Sequence, residues 1–359
     1  MTPTHDGNPA RGRAPRGRAW LRRIAWQGAV TLGFALIATR VVDVAALRAA
    51  LAGVTLGWIP PALLLFTSAK FIDSWRWRYL LRGVAREAAH PPPQAALFGA
   101  FLIGNMANNL LPLRAGDVAK VQVLANRYGA SRAGVAATVF IVEATLDGVV
   151  FVAFLLAAIA FWDLGALPAV SMAAVAVLVA AAAIALAVAL ALARGGPHCA
   201  RALSTAVPAR LHEPLRAQLA QAAAGLDALR SWRRAGGALL LSVPAWLVEA
   251  AMFALIGHAF GLDHGYATYV AAMISANLAV AVPVALWNFG PYEALVGGIL
   301  AAAETEPTVA VSYALSVHLL TSVWINLTGL CAFWALGVRP SDVFGLRGPA
   351  PTGEPAAMT

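Results

Sequence analysis

The sequence predicts an all-α polytopic membrane protein with about six complete transmembrane helices and two broken segments that enter the membrane and return. Composition is the first observation behind this prediction. Of 359 residues, 60% are hydrophobic and only 12% are charged, whereas soluble domains carry about 25% charged residues. The second observation is that long uncharged runs alternate with short basic loops, as a bilayer requires of spanning helices.

The positive charge of the chain is unevenly distributed. The net charge is +9, and the excess lies at the N-terminus and in a few loops. This clustering indicates membrane orientation, because a nucleic-acid-binding protein would need a basic face with interleaved aromatic residues on a soluble fold. Cys199 lies in a basic loop and Cys331 in an apolar run, so neither a disulfide nor a metal site is expected. No cofactor-binding motif is found in the sequence.

The polar segments divide the chain. Residues 1–19 are rich in Arg, Gly and Pro and are predicted to form a disordered basic cytoplasmic tail. Residues 20–338 are expected to form one transmembrane domain, and residues 339–359 a second disordered cytoplasmic tail. Within the domain, residues 194–235 carry leucines at spacings of three and four, which predicts an amphipathic helix in a cytoplasmic loop. This helix either lies on the membrane surface as a linker or binds a partner protein.

Six apolar runs are predicted to cross the membrane completely, and Ser131 is the expected N-cap of the third. They span about 24–42, 56–72, 131–162, 167–193, 237–260 and 308–337. Two further runs, 95–116 and 267–303, are interrupted by Asn, Pro and Gly. If these two runs dip in and return, every basic loop and both termini lie on the cytoplasmic side of the cell inner membrane.

The two broken runs carry Asn, Pro, Gly and an acidic residue in the same order. This order suggests an inverted repeat, because the two runs would enter from opposite faces. Non-helical backbone at membrane depth survives only where it is buried in protein or lines a cavity. The two broken runs are therefore expected to meet and to form the functional site.

Four carboxylates lie inside apolar segments, where a charge costs at least about 2.5–3.5 kcal/mol. Glu143 and Asp147 are four residues apart and therefore share one helix face, roughly 18–24 Å along the third predicted helix. Such residues are usually functional, although a structural pair is the alternative. Glu249 lies similarly deep, and its structural and functional interpretations are equally supported. Glu293 follows the second break, where it could cap a half-helix or bind a cation.

A second group of polar residues follows the first broken run. Arg114 could hold a lipid phosphate, and Gly116 would let the backbone approach that phosphate. Asp117 would cap the following helix. The alternative is a tight turn with a local ion pair. Near the end of the second predicted helix, Lys70 and Asp73 are expected to snorkel to the membrane surface.

The segment from residue 75 to residue 79, Trp-Arg-Trp-Arg-Tyr, is predicted to form an aromatic and basic belt at the cytoplasmic surface.

His318, in the last helix, is expected to be a packed polar residue and not a ligand.

The motif Asn109-x-x-Pro112-x-Arg114-x-Gly116-Asp117, followed by Glu143 and Asp147, resembles the lysylphosphatidylglycerol synthase transmembrane family, also called the flippase-like domain family. The block from Gly290 to Glu293 extends the resemblance, which covers about residues 20–338. The preceding Trp-Asn-Phe at 287–289 departs from the more glycine-rich stretch of the family. Substrate binding is predicted for Asn109, Pro112, Arg114, Gly116, Asp117, Glu143, Asp147, Glu249, Gly290 and Glu293.

The resemblance implies lipid handling. In bifunctional members the domain flips an aminoacylated phospholipid made by a fused synthase, and other members are linked to hopanoid or polyprenyl-linked glycolipid pathways. The chain ends about 20 residues after the last predicted helix, so a synthase domain is not expected here. The first hypothesis is thus an inner-membrane lipid translocase that is not an enzyme and whose substrate is a phospholipid or a polyprenyl- or hopanoid-type lipid.

Two alternatives remain open. The chain could be a non-catalytic membrane partner of a lipid-modifying or glycosyltransferase enzyme, with the amphipathic segment 194–235 as the contact. It could also be an intramembrane lipid-modifying enzyme that uses Glu143 and Asp147 as acid and base, although no nucleophile or metal motif supports that hypothesis.

Overall fold

A computed structural model describes residues 29, 32, 36, 44–86, 91–111, 115–161, 169–205, 212–281, 286–339 and 342–343. These residues are helical apart from turns and short connections, and no strand is found among them. The all-α prediction is therefore confirmed for this part of the chain. The predicted tail 1–19, most of the predicted helix 24–42, nearly all of the tail 339–359, and the site residues Pro112 and Arg114 lie outside the described residues.

Twelve helices organise the described residues, together with a one-turn helix at Arg82–Ala85 and a π-helical segment at Thr138–Glu143. The helices are α1 (Val44–Ala52), α2 (Ile59–Leu80), α3 (Gln94–Leu110), α4 (Ala115–Tyr128), α5 (Arg132–Ala137), α6 (Ala144–Phe161), α7 (Ala169–Thr205), α8 (His212–Gly225), α9 (Trp232–Ala259), α10 (Tyr266–Ala281), α11 (Pro291–Ala302) and α12 (Pro307–Ala335).

Four helical stretches of the described residues are long and apolar enough to cross a membrane: Arg132–Ala157, Val175–Gly195, Trp232–Ala259 and Pro307–Ala335. They match four of the six predicted crossings. The second predicted crossing, 56–72, is observed as α2, which starts with prolines in its first turn and continues to Leu80. Helix α2 is not one of the four long apolar stretches, because it carries several charged residues.

The third crossing is one continuous helix with an irregular centre. Ser131 caps it, because its hydroxyl oxygen accepts a hydrogen bond of 2.9 Å from the backbone N–H of Gly134. The cap predicted at Ser131 is thus confirmed. Between α5 and α6 the π-helical segment inserts a wider turn that ends at Glu143. Such π segments are frequent at functional sites, where they re-aim side chains.

Both broken runs are observed as a helix, a break and a second helix. The first break separates α3 from α4, and the second separates α10 from α11. The second break is tightly wound, because Trp287, Asn288 and Gly290 all have positive φ. All four helices have fewer than the about 20 residues needed to span a bilayer. Helices α3 and α11 both pack against α12, so α12 links the two broken segments.

Helix α2 connects two apolar cores. Phe66 belongs to the core formed with α9, α10, α11 and α12, whereas Trp77 belongs to the core formed with α3, α4 and α5. Lys70, Asp73 and Arg76 occupy the stretch of α2 between them. The sequence thus places three charged side chains at the junction of two apolar cores.

The segment 194–235 is predicted to form an amphipathic helix on the surface, but part of its apolar face is buried. Helix α7 continues to Thr205, and α8 packs against α5. Leu226 and Leu229, which belong to the predicted apolar face, are buried in a core with residues of α7 and α9. This part of the apolar face is therefore covered by the chain itself.

The close packing of α8 on α5 gives a first prediction. A Cβ atom added at Gly225 would overlap the backbone oxygen of Gly134, whereas one added at Gly298 in α11 would meet nothing within 4 Å. We expect Gly225→Ala to destabilise the protein by about 1–3 kcal/mol, as overpacking does, and to lower its melting temperature in detergent. Gly298→Ala is the matched control and should melt at or above the wild-type temperature, because alanine favours helix. Equal melting of both variants would contradict this packing.

Candidate functional site

Arg76 is the centre of the candidate site. Only 2% of this residue is exposed. Its guanidinium donates two hydrogen bonds to the carboxylate of Asp147, one of them of 3.1 Å from Nη2 to Oδ2. It also donates to Glu143 Oε1 at 3.5 Å and to the hydroxyl of Ser242 at 2.8 Å. One planar fork therefore joins α2 to the π segment, α6 and α9, which a lysine could not do with the same geometry.

Lys120 extends the site toward the first broken segment. Its ammonium lies 3.2 Å from Asp117 Oδ1 and 3.9 Å from Glu143 Oε2, and 4.7 Å from the centre of the Phe101 ring. The side-chain amide of Asn108 donates to Asp117 Oδ1 at 3.2 Å. Glu143 is thus shared between the cations of α2 and α4.

Lys70 forms the other end of the site. Its ammonium donates to Glu249 Oε2 at 2.6 Å and lies 3.8 Å from Asp73 Oδ2. The amide of Asn277 in α10 donates to Glu249 Oε1 at 3.2 Å. Lys70 therefore faces the protein, and the prediction that it snorkels to the membrane surface is wrong. The apolar helix surroundings favour this pairing, because an unpaired charge there is costly.

These eight side chains form two ion-pair groups, one around Lys70 and one around Arg76 and Lys120. Asp73 of the first group and Arg76 of the second lie one turn apart on α2, and we name the two groups together the ion-pair network. Its members are Lys70, Asp73, Arg76, Asp117, Lys120, Glu143, Asp147 and Glu249. Three are cations and five are carboxylates. Within the described residues, Arg76 Nε and Glu143 Oε2 have no hydrogen-bond partner. The network therefore holds more negative than positive groups and keeps unused hydrogen-bonding capacity.

Asp147 is the most exposed member of the ion-pair network. The side chain of Asp147 is 34% exposed, whereas those of Glu143 and Arg76 are 10% and 2% exposed. A ligand approaching Asp147 would meet a carboxylate first and the arginine behind it. The arrangement can exchange partners, because an arriving anion can compete for the guanidinium while an arriving cation can compete for the carboxylates.

A separate polar cluster lies at the second break. Glu293 Oε2 accepts a 2.6 Å hydrogen bond from the backbone N–H of Gly290 and thereby caps α11, as predicted. Glu293 Oε1 lies 2.6 Å from His318 Nδ1. The His318 ring stacks on Tyr292, with 4.1 Å between ring centres, and is buried. His318 is thus the packed polar residue that was expected.

The structure brings together four of the predicted site residues, namely Asp117, Glu143, Asp147 and Glu249. Asn109 lies apart and donates to the backbone oxygen of Ser322 in α12 at 3.3 Å. Gly290 and Glu293 belong to the cluster at the second break. The roles proposed for all these residues in binding a substrate remain predictions.

Gly116 serves a close approach of the chain to itself. A Cβ added at Gly116 would overlap the backbone oxygen of Gly104 in α3. Its backbone N–H donates to Asn108 Oδ1 at 2.7 Å. Helices α3 and α4 thus meet through glycine, which places Asp117 of α4 beside Asn108 of α3.

Sequence reasoning missed the three cations of the ion-pair network. Arg76 and Trp77 were assigned to a surface belt, yet both are buried. The missed signal is the spacing of Lys70, Asp73 and Arg76, which places all three on one face of α2. The flanking aromatic residues give this segment the composition of an interfacial belt, and for that reason the sequence wrongly predicts a surface position for Arg76 and Trp77. Among the described residues, no group of His, Cys, Asp and Glu is arranged to hold a metal ion.

Comparison with known proteins agrees with this architecture. The sequence profile of the lysylphosphatidylglycerol synthase TM region matches residues 24–329. The chain belongs to this family. It is a multi-pass membrane protein, and the match includes no synthase domain. No curated protein and no solved structure shows significant similarity to the chain.

The ion-pair network gives a second prediction. We expect Arg76→Gln to destabilise the protein by about 3–5 kcal/mol, because it leaves Asp147 without its cation and the buried Glu143 with Lys120 alone. Adding Asp147→Asn to this variant should recover part of the loss, since residues in contact are energetically coupled. Thermal unfolding in detergent measures both effects. Arg86→Gln is the control, because Arg86 is exposed. Additive losses in the double variant would show that the two residues are not coupled.

Proposed function

We propose that this protein is an inner-membrane lipid translocase, with both termini in the cytoplasm, that moves a phospholipid or a polyprenyl- or hopanoid-type lipid. Membership of a family defined by a transmembrane region supports this proposal. The observation that carries it is the ion pair of Arg76 with Asp147. A buried arginine inside an apolar helix bundle is bound to a carboxylate that is one-third exposed.

A translocase has to move a polar head group through a region where charge is costly. The ion-pair network lowers that cost by offering charged partners inside the protein. A lipid phosphate would replace the Asp147 carboxylate on the Arg76 guanidinium, since both ligands fit the same bidentate fork. The network thus exchanges one anion for another and does not have to bury a new unpaired charge.

The excess of carboxylates supports the second half of this exchange. When the phosphate binds Arg76, Asp147 loses its cation and Glu143 keeps only Lys120. They would then pair with a cationic or hydroxylated part of the head group, or take up a coupling proton. Glu143 Oε2 already has no hydrogen-bond partner among the described residues, so it can accept one from a substrate without losing another.

The alternative of a non-catalytic partner of a lipid-modifying or glycosyltransferase enzyme was based on the apolar face of segment 194–235. Leu226 and Leu229 of this face are buried within the chain. The alternative remains a hypothesis, which affinity purification from native membranes with and without the segment would test.

A third prediction tests translocation. Purified protein in liposomes with labelled anionic, aminoacylated and polyprenyl-linked lipids should flip one of these classes. Asp147→Asn should reduce this rate by at least about tenfold, equivalent to a loss of about 1.4 kcal/mol, because the exchange needs its charge. Arg114→Ala is expected to do the same, on the sequence motif alone. Both variants should insert and fold.

The control is Asp227→Asn, since Asp227 pairs with Arg234 outside the ion-pair network. This variant should flip lipid at the wild-type rate. Normal flipping by Asp147→Asn, or no flipping of any class by the wild type, would contradict the proposed function.

A further inference from the structure

A cavity of about 500 Å³ lies at the C-terminal end of α2. Its volume is in the range typical of small-molecule sites, about 300–1,000 Å³. The one-turn helix Arg82–Ala85, the start of α3 and the middle of α9 complete its wall. None of its lining residues belongs to the ion-pair network, so the cavity is a different feature of the molecule.

The cavity is amphipathic. Trp75, Arg78 and Arg82 line it, and their spacing of three and four residues places them on one helical face. Leu97 and Leu241 line it as well. Two cationic side chains therefore share one space with an exposed indole and aliphatic groups.

The two arginines have free hydrogen-bonding capacity. Among the described residues, no carboxylate lies within ion-pair distance of Arg78 or Arg82. The Arg82 guanidinium lies 4.4 Å from the centre of the Tyr79 ring. Stacking of this kind fixes the plane of the guanidinium and leaves its N–H groups directed outward. Like charges four residues apart repel each other, so an anion between them would stabilise this end of α2.

Charge and apolar surface together identify the ligand class. We propose that the cavity binds an anionic glycerophospholipid, with its phosphate between Arg78 and Arg82 and the start of an acyl chain along Trp75 and Leu241. The indole suits the level of the head groups, where tryptophan is enriched. The positive-inside prediction places these arginines on the cytoplasmic side, where basic segments meet anionic lipids. The proposal rests on the membrane location and not on translocation.

Native mass spectrometry of the full chain, purified in detergent and supplied with phosphatidylglycerol or phosphatidylcholine, tests this site and is the fourth prediction. The wild type should retain phosphatidylglycerol about tenfold better than phosphatidylcholine, as expected when charge-assisted contacts distinguish the two. Arg78→Gln combined with Arg82→Gln should abolish this preference. Arg86→Gln combined with Arg233→Gln removes the same charge from exposed residues outside the cavity and should leave the preference unchanged.

Three outcomes would overturn the proposal. Equal retention of both lipids by the wild type would show that no anionic lipid is selected. Loss of preference in both double variants would assign the effect to overall charge. Displacement of the lipid by millimolar inorganic phosphate would indicate a free-phosphate site. Flipping measured after the same protein preparations are reconstituted in liposomes separates the two hypotheses, because a wild type that selects phosphatidylglycerol but moves no lipid contradicts only the translocase.

Discussion

The burial of one guanidinium group governs the arrangement of this protein. Arg76 lies between two apolar cores, and a charge in such surroundings is tolerated only when it is paired and hydrogen-bonded. Its partners come from three other elements: Glu143 from the π segment, Asp147 from α6, and Ser242 from α9. These elements are held at fixed distances from α2, because the fork of the arginine accepts partners only in its own plane.

The first broken segment is tied to the same group through Lys120. Helix α4 approaches α3 closely where Gly116 meets Gly104, and this approach directs Lys120 toward Glu143. A short helix of the first broken segment thus contributes a cation to a site that is otherwise built from long helices. The glycine is needed for packing, whatever ligand the segment binds.

Much of the fold could be predicted from the sequence. Apolar runs, the cap at Ser131 and the two interruptions follow from local chemistry, and the cap, both interruptions and five of the six predicted runs appear among the described residues. The carboxylates Glu143 and Asp147 were found because acidic residues in apolar helices are rare. Their partner was missed, because periodicity cannot tell whether Arg76 faces lipid, water or another helix.

The same limit applies to segment 194–235. Its leucine spacing predicts an apolar face correctly, yet spacing alone does not reveal what covers that face. The answer depends on contacts between distant parts of the chain, such as Gly225 with Gly134. The small size of these residues signals close packing only once the neighbouring helix is known.

The π segment has a consequence for how chains of this family can differ in length. A π turn accommodates one residue more than an α turn does, and each α-helical residue corresponds to a rotation of about 100°. Deleting one residue between Thr138 and Glu143 would restore a regular helix and keep Ser131 on its present face relative to Asp147, whereas a regular helix of unchanged length would rotate Ser131 by about that angle. Homologous chains with a regular helix here must therefore differ in length by one residue or pair their arginine differently. Chains of unchanged length with a regular helix in this stretch would mark branches of the family with a rearranged site.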